Sequence, residues 1–440
     1  MTQSRDTICA LASGPPPAAL TVLRISGPDV SDIIASRFSK SRLKPRHATL
    51  VDLFRDTGEV IDTGLATYMP GPASYTGEDT LEISLHGGRV ITELALKSIM
   101  SAGARLAEPG EFTRRAFEAG KLDLTRAEAV ADLIDAESEG QHAQALKQMD
   151  GALEALYSGW REDLTTCLAL LEASIDFPDE EDAPVRVDAP VKEVLGKLLQ
   201  DFDEALSVGN ITERIRDGFR ITILGKPNAG KSTLLNQLAG RDAAIVTEIP
   251  GTTRDIVEVR MTIGDHLVWM SDTAGLRETE DVVEAEGVRR ALKAADAADL
   301  RIWLYDAREG FDQSQVRPGD IIAANKTDLA DAQIVSRETL RIAAKDGAGL
   351  TDLVELIKAR LSELTNNVGS PTITRARHRQ GIEAAKTHLM TARAAIENGI
   401  GAELAAEDVR MASRALGGLT GHINPEMILG AVFSSFCIGK

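Results

Sequence analysis

Cysteine is nearly absent from this 440-residue chain: Cys9, Cys167 and Cys437 are far apart and odd in number. That excludes a disulfide framework and offers no zinc-site spacing. Unpaired thiols fit a reducing compartment, so a cytoplasmic location is expected. Basic residues are outnumbered, 49 Lys and Arg against 67 Asp and Glu, for a net charge of −18. A broad polybasic nucleic-acid surface is thereby disfavoured, because phosphate contacts come mainly from Lys and Arg. A local basic patch, or a partner that carries one, remains open. No run of 18 apolar residues appears, so no membrane span is expected. Met1 to Asp6 carry a charge of each sign with no long apolar stretch behind them, so no secretory leader is expected. The seven histidines show no metal spacing, and no G-x-G-x-x-G fingerprint marks a dinucleotide fold. The ending Cys437-Ile438-Gly439-Lys440 matches a prenylation box poorly.

What is present is ordinary for a folded protein: 43% apolar and 26% charged residues. The length suits about three domains. Residues 1–118 mix short β-like runs (Leu20 to Ile25, Gly64 to Tyr68, Thr80 to Leu85) with a helical pattern at Val90 to Met100, a small α+β domain. Residues 119–217 repeat apolar positions at helical spacing, at Ala127, Val130, Ala131 and Ile134 and again at Leu164, Leu168 and Leu171. An acidic break spans Phe177 to Asp182 before another helix pattern at Val191 to Leu206. Residues 218–368 alternate strands (Arg220 to Leu224, His266 to Met270, Leu300 to Tyr305, Ile321 to Ala324) with helices (Lys231 to Leu238, Glu284 to Ala294, Leu350 to Leu361), which implies a mostly parallel sheet wrapped by helices. Residues 369–440 are helical again. Amphipathic helices on both sides need partners for their apolar faces. The expected architecture is therefore one α/β domain inserted into one helical domain.

The strongest motif is Gly225-Lys226-Pro227-Asn228-Ala229-Gly230-Lys231-Ser232, a G-x4-G-K-[ST] phosphate loop with a strand before it and a helix after it. Its glycines let backbone N–H groups wrap a phosphate. Lys231 would reach the β/γ-phosphates, Ser232 would offer a hydroxyl to Mg²⁺, and the helix start adds its positive end. Asp272-Thr273-Ala274-Gly275 ends a strand, placing Asp272 near Mg²⁺ and the Gly275 N–H near the γ-phosphate. Asn325-Lys326-Thr327-Asp328 ends a later strand. The Asp328 carboxylate can accept from guanine N1–H and N2–H₂, a donor pair adenine lacks. Three such motifs, in order and at strand ends, point to a GTP-binding domain.

At these residues the chain resembles the translation-factor-like GTPases and, more narrowly, the MnmE (TrmE) family of tRNA-modifying GTPases. The resemblance extends to Gly251-Thr252-Thr253-Arg254-Asp255, Asp272 to Arg277, Leu23-Arg24-Ile25-Ser26-Gly27, Lys121 to Leu124 and the tail Phe433 to Lys440. It implies GTP contacts from Asn228, Ala229, Gly230, Lys231, Ser232 and Thr233; from Thr247, Glu248, Ile249, Pro250, Gly251, Thr252 and Thr253; from Asp272, Thr273, Ala274 and Gly275; and from Asn325, Lys326, Asp328, Ala343, Ala344 and Lys345. Mg²⁺ would sit on Ser232 and Thr253. K⁺ would sit on Asn228, Thr247, Ile249 and Thr252, taking the place of an arginine finger for which Arg254 and Arg277 are nearby candidates. Leu276 stands where many GTPases carry a water-orienting Gln, and the resemblance gives that role to Glu284.

The same resemblance implies a homodimer whose N-terminal domain binds 5,10-methylenetetrahydrofolate (5-formyltetrahydrofolate as analogue) through Arg24, Glu82, Lys121 and Lys440. It also implies a flavoprotein partner, MnmG (GidA), in a heterotetramer, and modification of wobble uridine U34 of tRNA at C5 (carboxymethylaminomethyl or aminomethyl). Without the resemblance, Arg24, Glu82 and Lys121 would read as surface ion pairs. Cys437 is a candidate for chemistry near the tail; His86 before Gly87-Gly88 could line the folate pocket or be a turn residue, and the turn reading is preferred. Three departures stand out. Pro250 stiffens the ion loop. Ala343-Ala344-Lys345 replaces Ser-Ala-Lys, leaving the Ala344 N–H to face guanine O6. The stretch from Asp306 to Asn325 is short for a helix. The rival reading is a GTP-regulated ribosome or RNA assembly factor without folate chemistry.

Overall fold

The computed structural model describes residues 6–176, 188–241, 257–272, 295–329, 339–366, 373–421, 432–433, 436 and 439. The chain divides into two compact units, 1–131 with 413–440, and 132–412.

In the first unit, β1 (Ile8–Leu11), β2 (Leu20–Ser26), β3 (Thr49–Phe54), β4 (Val60–Met69), β5 (Thr80–His86) and β6 (Arg105–Leu106) form a sheet in the order β3-β4-β5-β2-β1-β6. It is antiparallel except where β1 meets β6. Burial alternates along β2 and β5, as the two-residue period of a strand requires. Leu23, Ile25, Leu81, Ile83 and Leu85 point to one face and pack on Val30, Ile33 and Ile34 of α1 (Val30–Arg37) and on Ala95 and Ile99 of α2 (Arg89–Ser101). The opposite face carries Val22, Arg24, Glu82 and Ser84. It also carries exposed Leu50 and Leu65, which face each other across β3 and β4.

Helix α3 (Glu111–Glu118) begins on a buried carboxylate. Glu111 accepts from Arg105 Nη1 at 2.9 Å and Nη2 at 2.7 Å, from the Glu108 N–H at 2.8 Å and from Arg115 Nη2 at 2.9 Å. Arg115 reaches on to Glu78 at 2.9 Å. Burial opposes ionisation of Glu111, but the Arg105 guanidinium, the Glu108 N–H and Arg115 outweigh it and hold the carboxyl down at about 2. A depressed carboxylate stabilises the fold above its unfolded value near 4.5, and that stability drains away as pH falls toward 2. Glu111→Gln is therefore expected to be clearly less stable than wild type at pH 7, with the difference in urea midpoint closing between pH 5 and pH 2. A pH-independent difference would remove the carboxylate from the account.

The second unit holds the helical and α/β parts. The helices α4 (Leu124–Asp135) and α11 (Ala402–Thr420) are each shared between the two units. Helix α5 (Glu139–Met149) starts on a capping box, Ser138 with Gln141. Tyr157 and Trp160 of α6 (Ala152–Asp176) meet Phe202 of α7 (Asp188–Asp217) and His378 of α10 (Ala376–Glu397), with Trp160 and Phe202 edge-on at 4.8 Å and Tyr157 and His378 at 5.9 Å. Helices from before and after the α/β segment thus share a core, and the α/β domain is an insert. Both of its connections are tied to one oxygen: Asp132 Oδ1 accepts from Arg216 at 2.9 Å and from Arg375 at 2.7 Å.

The insert is a sheet of β7 (Phe219–Leu224), β8 (Val257–Ile263), β9 (His266–Asp272), β10 (Leu300–Asp306), β11 (Ile321–Asn325) and β12 (Leu340–Arg341), ordered β12-β11-β10-β7-β9-β8. All pairs are parallel except β8 with β9. Helices α8 (Lys231–Arg241) and α9 (Leu350–Thr365) bury Leu234, Leu235, Leu238, Leu353 and Ile357 against it. The expected helix at Glu284 to Ala294 lies outside the described residues. Between β10 and β11 no helix forms. Asp320 instead pins that loop to β10, accepting from Arg301 Nε and from Trp303 Nε1 at 2.9 Å each. Among the described residues no helix is long and apolar enough to cross a membrane.

Candidate nucleotide-binding site

The order of strands reverses between β7 and β10, and a ligand site belongs outside the carboxyl ends of the strands at such a point. The phosphate loop occurs there. Gly225 leaves β7 at φ +147, and a Cβ on it would lie 2.0 Å from the Leu304 carbonyl. Asn228 is left-handed at φ +63, a conformation Asn tolerates better than most residues. Gly230 (φ +98) opens α8 beside Asn325.

Lys231 is buried. Its ammonium crosses the loop to the carbonyls of Gly225 at 2.8 Å and Lys226 at 2.9 Å. Burial pushes its pKa down and Asp272 partly restores it. A phosphate arriving in the loop would give this desolvated cation a stronger acceptor than two neutral carbonyls. The Ser232 hydroxyl donates to the Asp272 carboxylate at the end of β9. These two oxygen donors suit a hard divalent cation. Thr233 is exposed on the first turn of α8.

The Asn325-Lys326-Thr327-Asp328 motif and the Ala343-Ala344-Lys345 turn come from the end of β11 and the segment after β12. Asn325 Nδ2 donates to the Ala229 carbonyl at 2.7 Å, so this side chain ties the end of β11 to the glycine-rich loop after β7. Its Oδ1 accepts the Ala344 N–H at 2.9 Å. The Ala344 N–H expected to face guanine O6 is thus paired with Asn325 in this structure. Ala343 and Ala344 are buried, while Asp328 and Lys345 are exposed. Lys326 is left-handed at φ +61, and its ammonium reaches the Asn228 carbonyl at 2.8 Å and Asp306 Oδ2 at 3.0 Å. Asp306, with Arg308 paired to it, stands beside this motif and was not singled out by the motif reading. The available signal was an aspartate ending a strand otherwise rich in apolar residues.

Thr247, Glu248, Ile249, Pro250, Gly251, Thr252, Thr253, Thr273, Ala274, Gly275, Glu284, Cys437 and Lys440 lie outside the described residues. In the first unit, Arg24 and Glu82 are register partners on β2 and β5 and form an ion pair at 2.8 Å. The Arg24 guanidinium lies 5.6 Å from the ring centres of both Tyr75 and Phe112. Lys121 is exposed and runs past the Gly77 turn. His86 is the last residue of strand β5, where it pairs with Leu20 in the ladder, and its exposed ring is paired with Asp62 at 2.9 Å, so it is a strand residue and not a turn residue. Cys9 and Cys167 are buried, which pushes each thiol up to about 11 and removes both from thiolate chemistry at neutral pH. A cavity of about 230 Å³ lined by Asp132, Gln144, Gln148, Arg216 and Arg260 lies at the root of the insert, apart from the phosphate loop.

Two family profiles match. The one described as GTP-binding protein TrmE N-terminus covers residues 7–121, and the one described as MnmE helical domain covers residues 124–437. Among curated proteins, the tRNA modification GTPase MnmE of Hyphomonas neptunium is 53% identical over 99% of this chain and 100% of its own. The protein of the same name from Caulobacter vibrioides is 47% identical over 99% of this chain and 100% of its own. Among solved structures, the G domain of the T. maritima FeoB iron transporter aligns with 33% of this chain and 98% of its own at 23% identity. Its TM-score of 0.26 is too low to carry weight.

Proposed function

The chain belongs to the MnmE family of tRNA modification GTPases, and on that premise we propose how its residues bind GTP and what it modifies. It is a P-loop GTPase acting in tRNA modification. The proposal adds K⁺-stimulated hydrolysis in a homodimer and a flavoprotein partner, MnmG, in a heterotetramer. It further adds a tetrahydrofolate one-carbon unit delivered to C5 of the wobble uridine. The finer division at residues 118, 217 and 368 is part of it. Family membership favours this reading over an assembly factor, which has no use for a folate site.

One observation carries the nucleotide half: Lys231, the Ser232–Asp272 pair and the Asn325–Lys326 clamp converge on the carboxyl ends of β7, β9 and β11. Lys231 would exchange its carbonyl partners for the β/γ-phosphates. The N–H groups from Asn228 to Thr233 would cradle those phosphates, and Asp328 would accept from the guanine edge. Ser232 and Thr253 would hold Mg²⁺, and Asn228, Thr247, Ile249 and Thr252 would hold K⁺; both ions would offset charge on the phosphates. With Leu276 unable to orient water, Glu284 takes that role.

Support for the folate half comes from the open sheet face. Glu82 is held by Arg24 where it can pair with the N–H groups of a pterin edge, and Tyr75 and Phe112 flank Arg24. Lys121 and Lys440 suit the carboxylates of a glutamate tail. Exposed Leu20, Leu50 and Leu65 on the same face suit a second copy of the chain.

The test is GTP turnover in K⁺ and in Na⁺, with equilibrium titration of 5-formyltetrahydrofolate alongside. Turnover is expected to be at least about tenfold faster in K⁺. Asn228→Gly, which keeps the left-handed backbone but removes the amide, should erase that difference. Glu82→Ala should weaken folate binding about tenfold or more. Equal rates in both salts would remove K⁺, and absent folate binding would remove the one-carbon step.

A further inference from the structure

We infer that Asp306 is a positioning residue for nucleotide binding: it aims Lys326 at the Asn228 carbonyl and so couples the guanine clamp to the phosphate loop.

Asp306 ends β10 directly opposite Asn325 at the end of β11, and the two strands stay in step through the Ala307 N–H to Asn325 carbonyl bond at 2.8 Å. The carboxylate is buried and both oxygens are engaged. Oδ1 accepts from the Arg308 N–H at 3.1 Å and Nε at 2.9 Å, and Oδ2 accepts from Arg308 Nη2 at 2.6 Å and Lys326 Nζ at 3.0 Å. The Arg308 fork sets the plane of the carboxylate, so that one edge of Oδ2 is presented to Lys326. Arg308, backed by Lys326, also holds the carboxyl well below the usual range, so the anion persists throughout the neutral region.

Lysine has four rotatable side-chain bonds and no intrinsic preference for one carbonyl. With Asp306 on one side and the Asn228 carbonyl at 2.8 Å on the other, its ammonium is fixed between two acceptors. Both ends of the bridge are left-handed non-glycine residues, Lys326 at φ +61 and Asn228 at φ +63. Such conformations persist only where surrounding contacts over-determine them. The bridge runs parallel to the Asn325–Ala229 bond, so the clamp and the loop are joined twice across adjacent residues. A base seated on the clamp therefore holds the loop in its phosphate-ready shape, and losing Asp306 would leave one of the two joints undirected.

The test uses the full chain loaded with a fluorescent GDP and follows dissociation after mixing with excess GDP. The inference rests on the guanine-nucleotide reading, which displacement of the probe from wild type by GDP and not by ADP checks by itself. Asp306→Asn is expected to release GDP about tenfold faster, the value of one charge-assisted hydrogen bond. It should raise the KM for GTP while leaving kcat at saturation within about twofold. Lys326→Met should also speed release, and the double variant should be no faster than the faster single, because both act through one bridge. Arg308→Gln, at a half-exposed position, should speed release by about threefold. Unchanged release from Asp306→Asn, or additive effects in the double variant, would overturn the assignment. If Asp306→Asn lowers the thermal midpoint enough to unfold the domain, Arg308→Gln decides: no acceleration there overturns it as well.

Discussion

Gly230→Ala is expected to lose GTP binding almost entirely. At φ +98 an alanine is strained, and its Cβ would lie 2.2 Å from Asn325 Nδ2. That nitrogen is not the loose end of a flexible side chain. Asn325 is buried and held at both ends, donating to the Ala229 carbonyl and accepting the Ala344 N–H. Relief requires moving the phosphate loop off its strand or breaking both hydrogen bonds and orphaning a buried carbonyl. The combined cost is about 3 kcal/mol or more, which is on the order of a hundredfold in affinity. Titration with a fluorescent GTP analogue measures it. Gly240→Ala on the same helix meets nothing within 4 Å and should bind like wild type. Near-normal affinity in Gly230→Ala would mean that the loop and the clamp are not joined through Asn325.

Asp328→Asn is expected to change which nucleotide is hydrolysed. The carboxylate lies exposed just past β11, two residues after Lys326, with the Arg308 cation in its electrostatic reach. As an acceptor-only group it suits the N1–H and N2–H₂ donors of guanine. Asparagine presents a donor and an acceptor, which suits the N1–H and C2 carbonyl of xanthine instead. The KM for GTP should rise on the order of a hundredfold or more, and xanthosine triphosphate should become the better substrate. Steady-state hydrolysis of both nucleotides decides it. If GTP remained preferred, the base would be read elsewhere. Arg308→Gln should not switch specificity, because Arg308 acts on how tightly the clamp is held and not on the hydrogen-bond pattern it offers.

Sequence reading recovered much of the architecture where its signals are contiguous. Eight residues from Gly225 to Ser232 announce a phosphate loop, and alternating burial in Leu20–Ser26 and Thr80–His86 follows from a period of two. The inserted domain was legible because helices on both sides lacked partners. The structure supplies those partners in Phe202 and His378, packed against Trp160 and Tyr157. The short Asp306 to Asn325 stretch was rightly read as too brief for a helix, but nothing local showed that Asp320 would pin it to Arg301 and Trp303.

Local order in the chain determined the phosphate loop, the guanine motif, the strand and helix runs and the nested layout, because each rests on neighbours within a few residues. Tertiary structure alone decided which of those groups meet. Asp306 faces Asn325 only because β10 and β11 pair in one register. Arg24 meets Glu82 only through the β2–β5 ladder, and Arg216 and Arg375 reach one Asp132 oxygen only once the insert has closed on itself. The pairing of the Ala344 N–H has the same origin. A backbone N–H is free or occupied according to what another strand places beside it, and Asn325, 19 residues earlier, is brought there by the sheet.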